Sequence, residues 1–271
     1  MKPTRFFVTI LALGVLGSSG VALAQDTDYE VLAEQCRTVP GEEGLAACDQ
    51  AIALEDGDPA LWLNRGVKYD RDLNQRNEAI ASYLSAIERD PDNDYSLAWY
   101  NTCAVLLKFA NIPNSIDPDV LVPILIDLEV IEAETENPGP LATSSSTLYE
   151  AVVESCDRAL TGDENWGTAT PARAWNNLGY AQDELGDYEA ALAAYDNAIA
   201  DDPSHVGAFN NKGITLENLD RHADALAAYE AALDLDPNYD LARRNRARLL
   251  QQHPELQLET PDAQAETSPA E

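Results

Sequence analysis

The side chains in this chain that carry reactive chemistry are few. Four cysteines, Cys36, Cys48, Cys103 and Cys156, and three histidines, His205, His222 and His253, are spread over 271 residues. Neither Cys36 to Cys48 nor Cys103 to Cys156 has the Cys-x-x-Cys spacing of a zinc site or a thioredoxin-like pair. The histidines fall at expected helix ends or loops, with no nucleophile or metal-spaced partner beside them in sequence, so they read as surface residues. No Gly-rich phosphate loop occurs. Carboxylates are abundant, with 48 Asp and Glu against 17 Lys and Arg and a net charge of −31, yet no pair stands out for acid/base work. No catalytic group, metal or cofactor is therefore expected, and an enzyme site between the insertion and the groove described below is the weaker reading. What remains for the cysteines is disulfide formation, which an oxidising compartment permits. As unpaired thiols they would serve as small buried apolar residues.

The elements that position these residues follow from an internal repeat. Ala174-Trp-Asn-Asn-Leu-Gly-Tyr-Ala181 recurs 34 residues later as Ala208-Phe-Asn-Asn-Lys-Gly-Ile-Thr215. Tyr195 is answered by Tyr229, Ala198 by Ala232, and Asp202-Pro203 by Asp236-Pro237 at the same spacing. Such a period marks one supersecondary unit used repeatedly. Leu192, Tyr195, Ala198 and Ile199 share a helical stripe and are expected core, and Pro203 and Pro237 end helices. Gly186-Asp187 and Asp220-Arg221 are the turns. Gly179 and Gly213 sit within helices, where glycine costs about 1 kcal/mol relative to alanine. Close approach of the second helix is the expected compensation, with Ala191 and Ala225 as its small partners.

The pattern extends upstream. Trp62, Asn64 and Gly66 repeat Trp175, Asn177 and Gly179, with Ala79, Tyr83, Ala86 and Pro91 following; Gly66 to Pro91 is 25 residues against 24 from Gly179 to Pro203, one extra turn residue. Cys48 lies 14 residues before Trp62, as Tyr195 lies 14 before Phe209, which predicts an earlier, degenerate hairpin. Trp99, Asn101 and Cys103 repeat the first helix once more, with Cys103 in the glycine slot. The second helix of that unit is delayed: Tyr149 to Leu160 aligns without gaps onto Tyr188 to Ile199, so about 36 residues, Asn111 to Ser146, are inserted. Hairpins are thus expected at about 26–57, 58–92, 93–165, 172–205 and 206–239. A helix over 240–252 closes the array, its Arg243, Arg244, Arg246 and Arg248 giving the polar outer face a terminal repeat needs. The acidic tail, 254–271, has little to bury and is expected to be disordered.

These units resemble the tetratricopeptide repeat, with an aromatic then Leu-Gly on the first helix, Ala and Tyr on the second, and Pro before the next unit. The resemblance implies an all-α fold, a right-handed superhelical α-solenoid with a C-terminal capping helix. It also implies a scaffold or adaptor that binds proteins or peptides along a concave groove lined by first helices. Carried onto this sequence, the groove candidates are Asn176, Tyr180 and Asp183 in one repeat and Asn210, Ile214 and Glu217 in the next. Upstream, Leu63, Val67 and Asp70, then Tyr100, Ala104 and Leu107, are equivalent. Where some family members clamp a C-terminal carboxylate with Lys, Arg and Asn, these slots are acidic or apolar, so an apolar or cationic segment is the expected partner. Asn64, Asn101, Asn177 and Asn211 recur once per repeat, which suits a structural job between repeats.

Three pairings of the cysteines are possible. Hairpin register favours Cys36 with Cys48, centred on the Pro40-Gly-Glu-Glu43 turn, and Cys103 with Cys156, whose slots are held by Gly179 and Tyr195 in the regular repeat. Upstream of all this, Lys2 and Arg5 precede the apolar stretch Phe6 to Leu16 and then Ala22-Leu23-Ala24. That is a secretory signal pattern with cleavage after Ala24, so residues 1–24 are expected to be removed and the protein to be periplasmic or extracellular. Loss of Lys2 and Arg5 takes the net charge to −33. Phosphate backbones are then repelled, so no nucleic acid and no direct membrane binding are expected. Self-association through the basic closing helix and an acidic face of another copy is a further reading, with the oligomeric state left open. In the insertion, Pro123 is expected to open a short helix with Ile124, Leu128 and Ile131 on one face. That face either packs on the solenoid or forms a partner-binding arm.

Overall fold

The computed structural model describes residues 22–90, 92, 95–112, 117–131, 144–167 and 169–258. The expected leader up to residue 21, the tail from residue 259, and residues 113–116 and 132–143 of the insertion lie outside the described residues. Several helices begin where the sequence supplies a capping side chain or a proline. Helix α1 (Ala22–Thr38) and α2 (Gly41–Leu54) form the first hairpin, and Gly41 enters α2 with a φ of 69°. Asp58 caps α3 (Pro59–Val67), accepting from the Ala60 amide at 2.9 Å, and Pro59 occupies the position where a missing N–H costs nothing. The helix then widens into a π-turn over Lys68–Asp72 before α4 (Arg76–Arg89). In that wide turn the Leu73 amide reaches the Lys68 carbonyl at 3.1 Å. The extra residue read from the Gly66 to Pro91 spacing is thus taken up at the end of the helix, as π-bulges accommodate one-residue insertions.

The third hairpin pairs α5 (Ser96–Ala110) with α7 (Ser145–Thr161), whose N-cap Ser144 accepts from the Thr147 amide at 3.2 Å. Between them stands α6 (Pro118–Asp127). The regular hairpins follow as α8 (Pro171–Leu185) with α9 (Tyr188–Asp201), and α10 (Val206–Asn218) with α11 (His222–Leu235). Gly186, at φ 84°, ends α8 in the left-handed region, and Asp220, at φ 57°, takes the corresponding turn. The closing helix is α12 (Asp240–Gln252). Twelve α-helices and no strand occur among the described residues. The paired helices pack on their hairpin partners, and successive hairpins pack on one another, the one-dimensional stacking of a solenoid. The fold is all-α.

The compensation for the helical glycines is an aromatic ring. A Cβ placed on Gly66 would stand 2.4 Å from the Tyr83 ring, one on Gly179 2.8 Å from Tyr195, and one on Gly213 2.4 Å from Tyr229. Ala191 and Ala225 are fully buried, but they are not what fills the glycine gap. A methyl group is too short to cross the space between the helices, whereas a tyrosine one turn further along reaches across it.

The insertion contributes to the core. Leu121, Ile124 and Leu125 on α6, then Leu128 and Ile131, are buried in the same apolar cluster as Leu106, Phe109, Leu148 and Val152. The packed-face alternative is therefore the one found for these residues. Pro118 opens α6, under an Asp117 cap that accepts from the Asp119 amide at 3.0 Å, and Pro123 lies inside the helix. The cap decides the start, since proline alone does not supply the missing acceptor. At the other end, the expected tail begins late: Pro254–Leu258 form a 3-10 turn and Leu256 is buried against Leu226, Tyr229 and Leu249.

Candidate functional site

The first helices of successive units touch one another, α1 with α3, α5 with α8, α8 with α10 and α10 with α12, and so build the face on which the groove residues were expected. Asparagines hold that face in register. Asn211 Nδ2 donates to Asn176 Oδ1 at 3.1 Å, and one unit on, Asn245 Nδ2 donates to Asn210 Oδ1 at 3.0 Å. Asn210, 2% exposed, also donates to Asn211 at 3.3 Å. The column is broken in the interrupted unit, where Asn177 Nδ2 faces Cys103 Sγ at 4.0 Å. Asn245 was missed in the sequence reading, although it continues the Asn177 and Asn211 column by another 34 residues into the closing helix.

The acidic groove candidates are turned towards neighbouring repeats. Asp183 Oδ1 accepts from Thr215 Oγ1 at 2.6 Å and Asn218 Nδ2 at 3.3 Å. Glu217 accepts from Arg248 at 3.0 Å and from the Tyr229 hydroxyl. These two carboxylates tie one unit to the next and are not free acceptors on an open surface. Arg248 and Arg246, which pairs with Glu230 at 2.9 Å, accordingly point back onto the array, and only Arg243 and Arg244 stay on the outer side with Asp240. An acidic preceding hairpin draws the arginines inwards. The outer surface of α12 also exposes Leu241.

Tyr180, Ile214 and Asn176 are half-buried. The Tyr180 hydroxyl donates to Asn111 Oδ1 at 3.1 Å, and Tyr149 reaches the same atom at 3.4 Å, their rings 6.3 Å apart. The first residue of the insertion is thereby fastened to a groove candidate. Burial, with Glu184 beside it, pushes the Tyr180 hydroxyl well above the ordinary phenol range. Upstream, Leu63 and Tyr100 are buried, Tyr100 with its ring 6.0 Å from Trp166, and Val67, Ala104 and Leu107 are half-buried. Asp70 is held by Lys108 at 2.7 Å.

At the start of the array, between α1 and α3, lies a notch of roughly 250 Å3 whose walls include Glu30, Glu34, Asp58 and Asn64 over Ala33 and Leu61. Arg37 is the cation on this wall and it pairs with Glu34. Asp58 accepts from the Tyr29 hydroxyl at 3.0 Å. Burial and then Asp58 push that hydroxyl up to about 12.

The cysteines lie behind these surfaces. Cys36 is bonded to Cys48 and Cys103 to Cys156, with Cα atoms 4.5 and 5.3 Å apart, and all four are fully buried. His205 caps α10, its Nδ1 accepting from the Ala208 amide at 3.1 Å. His222 and His253, distant in sequence, stack with ring centres 3.7 Å apart where α11 begins and α12 ends. Their separation of 31 residues is no motif spacing, and only the return of the closing helix brings them together.

Family models described as tetratricopeptide repeat match residues 176–240 and 59–93. No curated protein matches the chain. Among solved structures, YrrB, described as a TPR protein with an unusual peptide-binding site, is similar at 18% identity over 84% of this chain and 92% of its own, with a TM-score of 0.55. MamA from Desulfovibrio magneticus RS-1 is similar at 21% identity over 80% of this chain and 97% of its own, with a TM-score of 0.52. At these identities the likeness concerns the fold. The repeat models, the glycine-tyrosine contacts and the stacked hairpins agree, and residues 59–93 and 176–240 of this chain are tetratricopeptide repeats.

Proposed function

We propose that this protein is an exported binding scaffold, not an enzyme, whose first-helix face holds a basic or apolar segment of a protein partner. The observation that carries the reading is the notch at the start of that face, where Glu30, Glu34 and Asp58 meet Arg37 alone among cations above an apolar floor. A lysine or arginine entering there gains attraction from an acidic wall, and the chain-wide charge of −31 steers such a partner towards it. Tyr180 and Ile214, further along the same face, supply aromatic and apolar contact area. Export is supported by the Lys2, Arg5 and Phe6 to Leu16 pattern and by two buried disulfides, which suit an oxidising compartment.

The test is calorimetric titration of the protein with a lysine-bearing apolar peptide and with its glutamate counterpart. The lysine peptide is expected to bind and to weaken about tenfold in Glu30→Lys with Glu34→Lys, a change of about 1.4 kcal/mol. Equal affinity for the two peptides would remove the reading. Fractionation of cells expressing the full chain tests export, which fails if the protein stays with the cytosol at its full-length mass.

A further inference from the structure

We infer a second peptide site, separate from the first-helix face and built by the insertion at the turn edge of the array. After α6 the chain turns through Leu128, Glu129 and Val130, and these residues face α7 and the last residue of α8 across a notch of roughly 410 Å3. Its floor is apolar: Leu128, Val130, Val153 and Leu185 line it, and Leu185 is 36% exposed, one of the few large apolar side chains on the surface. Its rim is acidic. Glu129 and Glu150 have no cationic partner among the described residues, Glu150 receiving only a 3.4 Å bond from Ser146. Glu154 is paired with Arg158 at 2.7 Å.

The occupant this surface fits is a protein segment with one apolar side chain flanked by lysine or arginine. The apolar residue covers Leu185 and the valines, and the flanking cations meet Glu129 and Glu150. The chain's own neighbouring segment is a poor occupant by charge, since the residues after Ile131 include Glu132, Glu134 and Glu136, which the same rim repels. The regular hairpins have nothing equivalent, because their two helices are joined at Gly186-Asp187 and Asp220-Arg221 by tight turns. The site is a consequence of interrupting one repeat, and it does not depend on the first-helix reading.

The test uses a short peptide with a photoreactive benzoylphenylalanine between lysines, crosslinked to the purified full chain and mapped by mass spectrometry. Crosslinks at 128–130, 150–154 or 185 are expected, falling at least tenfold in Glu150→Lys with Leu185→Gln and retained in Glu30→Lys with Glu34→Lys. Both altered side chains of the first variant are at the surface, so its melting curve should match the parent's, and Glu129→Gln alone should weaken labelling severalfold. Crosslinks confined to 30–64, no saturable labelling, or equal labelling by a glutamate-flanked peptide would overturn the proposal. Failure of the first-helix reading shows separately, as the absence of crosslinks at 30–64.

Discussion

The fourth and fifth hairpins and the third solve one packing problem in two ways. In the regular units a helical glycine admits a tyrosine ring, Gly179 under Tyr195 and Gly213 under Tyr229. In the third hairpin the same two slots hold Cys103 and Cys156, bonded to each other. The regular hairpins close through short turns, so their helices meet as neighbours in sequence. The third has to close across 53 residues, and a ring contact gives no help with the chain entropy of that longer loop. A covalent bond does, because it acts on the unfolded chain. The regular repeat therefore relies on shape, and the interrupted one on a crosslink placed where the shape would have been.

The largest way to break this comparison is to remove the crosslink. Cys103→Ala with Cys156→Ala should cost about 4 kcal/mol by loop-closure entropy, against about 3 kcal/mol for Cys36→Ala with Cys48→Ala, whose loop is shorter. Urea unfolding followed by hydrogen exchange should place the first loss in α5, α6 and α7, with α8 to α12 still protected, as expected of an array with nearest-neighbour stability. Uniform loss of protection would mean that the bond does not act on the interrupted unit. A sharper test converts one solution into the other. Cys103→Gly with Cys156→Tyr rebuilds the regular contact and should recover about 2 kcal/mol, the value of burying one large side chain. No recovery over the double alanine variant would show that the two slots are not equivalent.

A smaller effect tests the glycine side. Gly213→Ala puts a methyl group 2.4 Å from the Tyr229 ring, and Gly179→Ala one 2.8 Å from Tyr195. Overpacking costs about 1 to 3 kcal/mol and the helix regains about 1 kcal/mol. Both variants should lose about 1 kcal/mol net, and Gly213→Ala the more of the two. Thermal or urea midpoints rank them, and a stabilised Gly179→Ala would mean that the ring yields freely.

The 34-residue spacing was enough to read the hairpins, the delayed second helix of the third unit and the shared slots of Cys103 and Cys156. It was not enough to read where side chains on the first-helix face point. Asp183 and Glu217 look like groove residues within their own repeats, but their partners Thr215, Asn218 and Arg248 lie 31 to 35 residues further on. A reading made one repeat at a time cannot see bonds made between repeats. The same limit hid the tyrosine rings, since small alanines at helical spacing look like the obvious neighbours of a glycine. It hid the inward turn of Arg246 and Arg248 as well, because a terminal helix is expected to face water. The insertion was legible as an interruption and as apolar, but the cap at Asp117 that starts α6 outweighed the proline at 123.

The remaining difference between the two kinds of hairpin is invisible at neutral pH and appears in alkali. Burial first, then nearby carboxylates, push the hydroxyls of Tyr195 and Tyr229 far above the ordinary value, Asp183 adding to the first and Glu217 to the second. In the unfolded chain they ionise near pH 10. Between that pH and the folded value the unfolded state has released protons that the folded state still holds, so stability falls as pH rises. The bonded Cys156 in the same slot has no proton to lose. Tyr195→Phe should therefore leave the urea midpoint of the array nearly unchanged at neutral pH and raise it relative to the parent at about pH 11. In the third hairpin Tyr95, pushed up to about 12 mainly by burial, and Tyr149, also raised mainly by burial, should remain as the alkaline weaknesses of that unit. If Tyr195→Phe and the parent lose stability in parallel through this range, the tyrosine filling the glycine gap is not the titrating element, and the pH dependence belongs to tyrosines outside these slots.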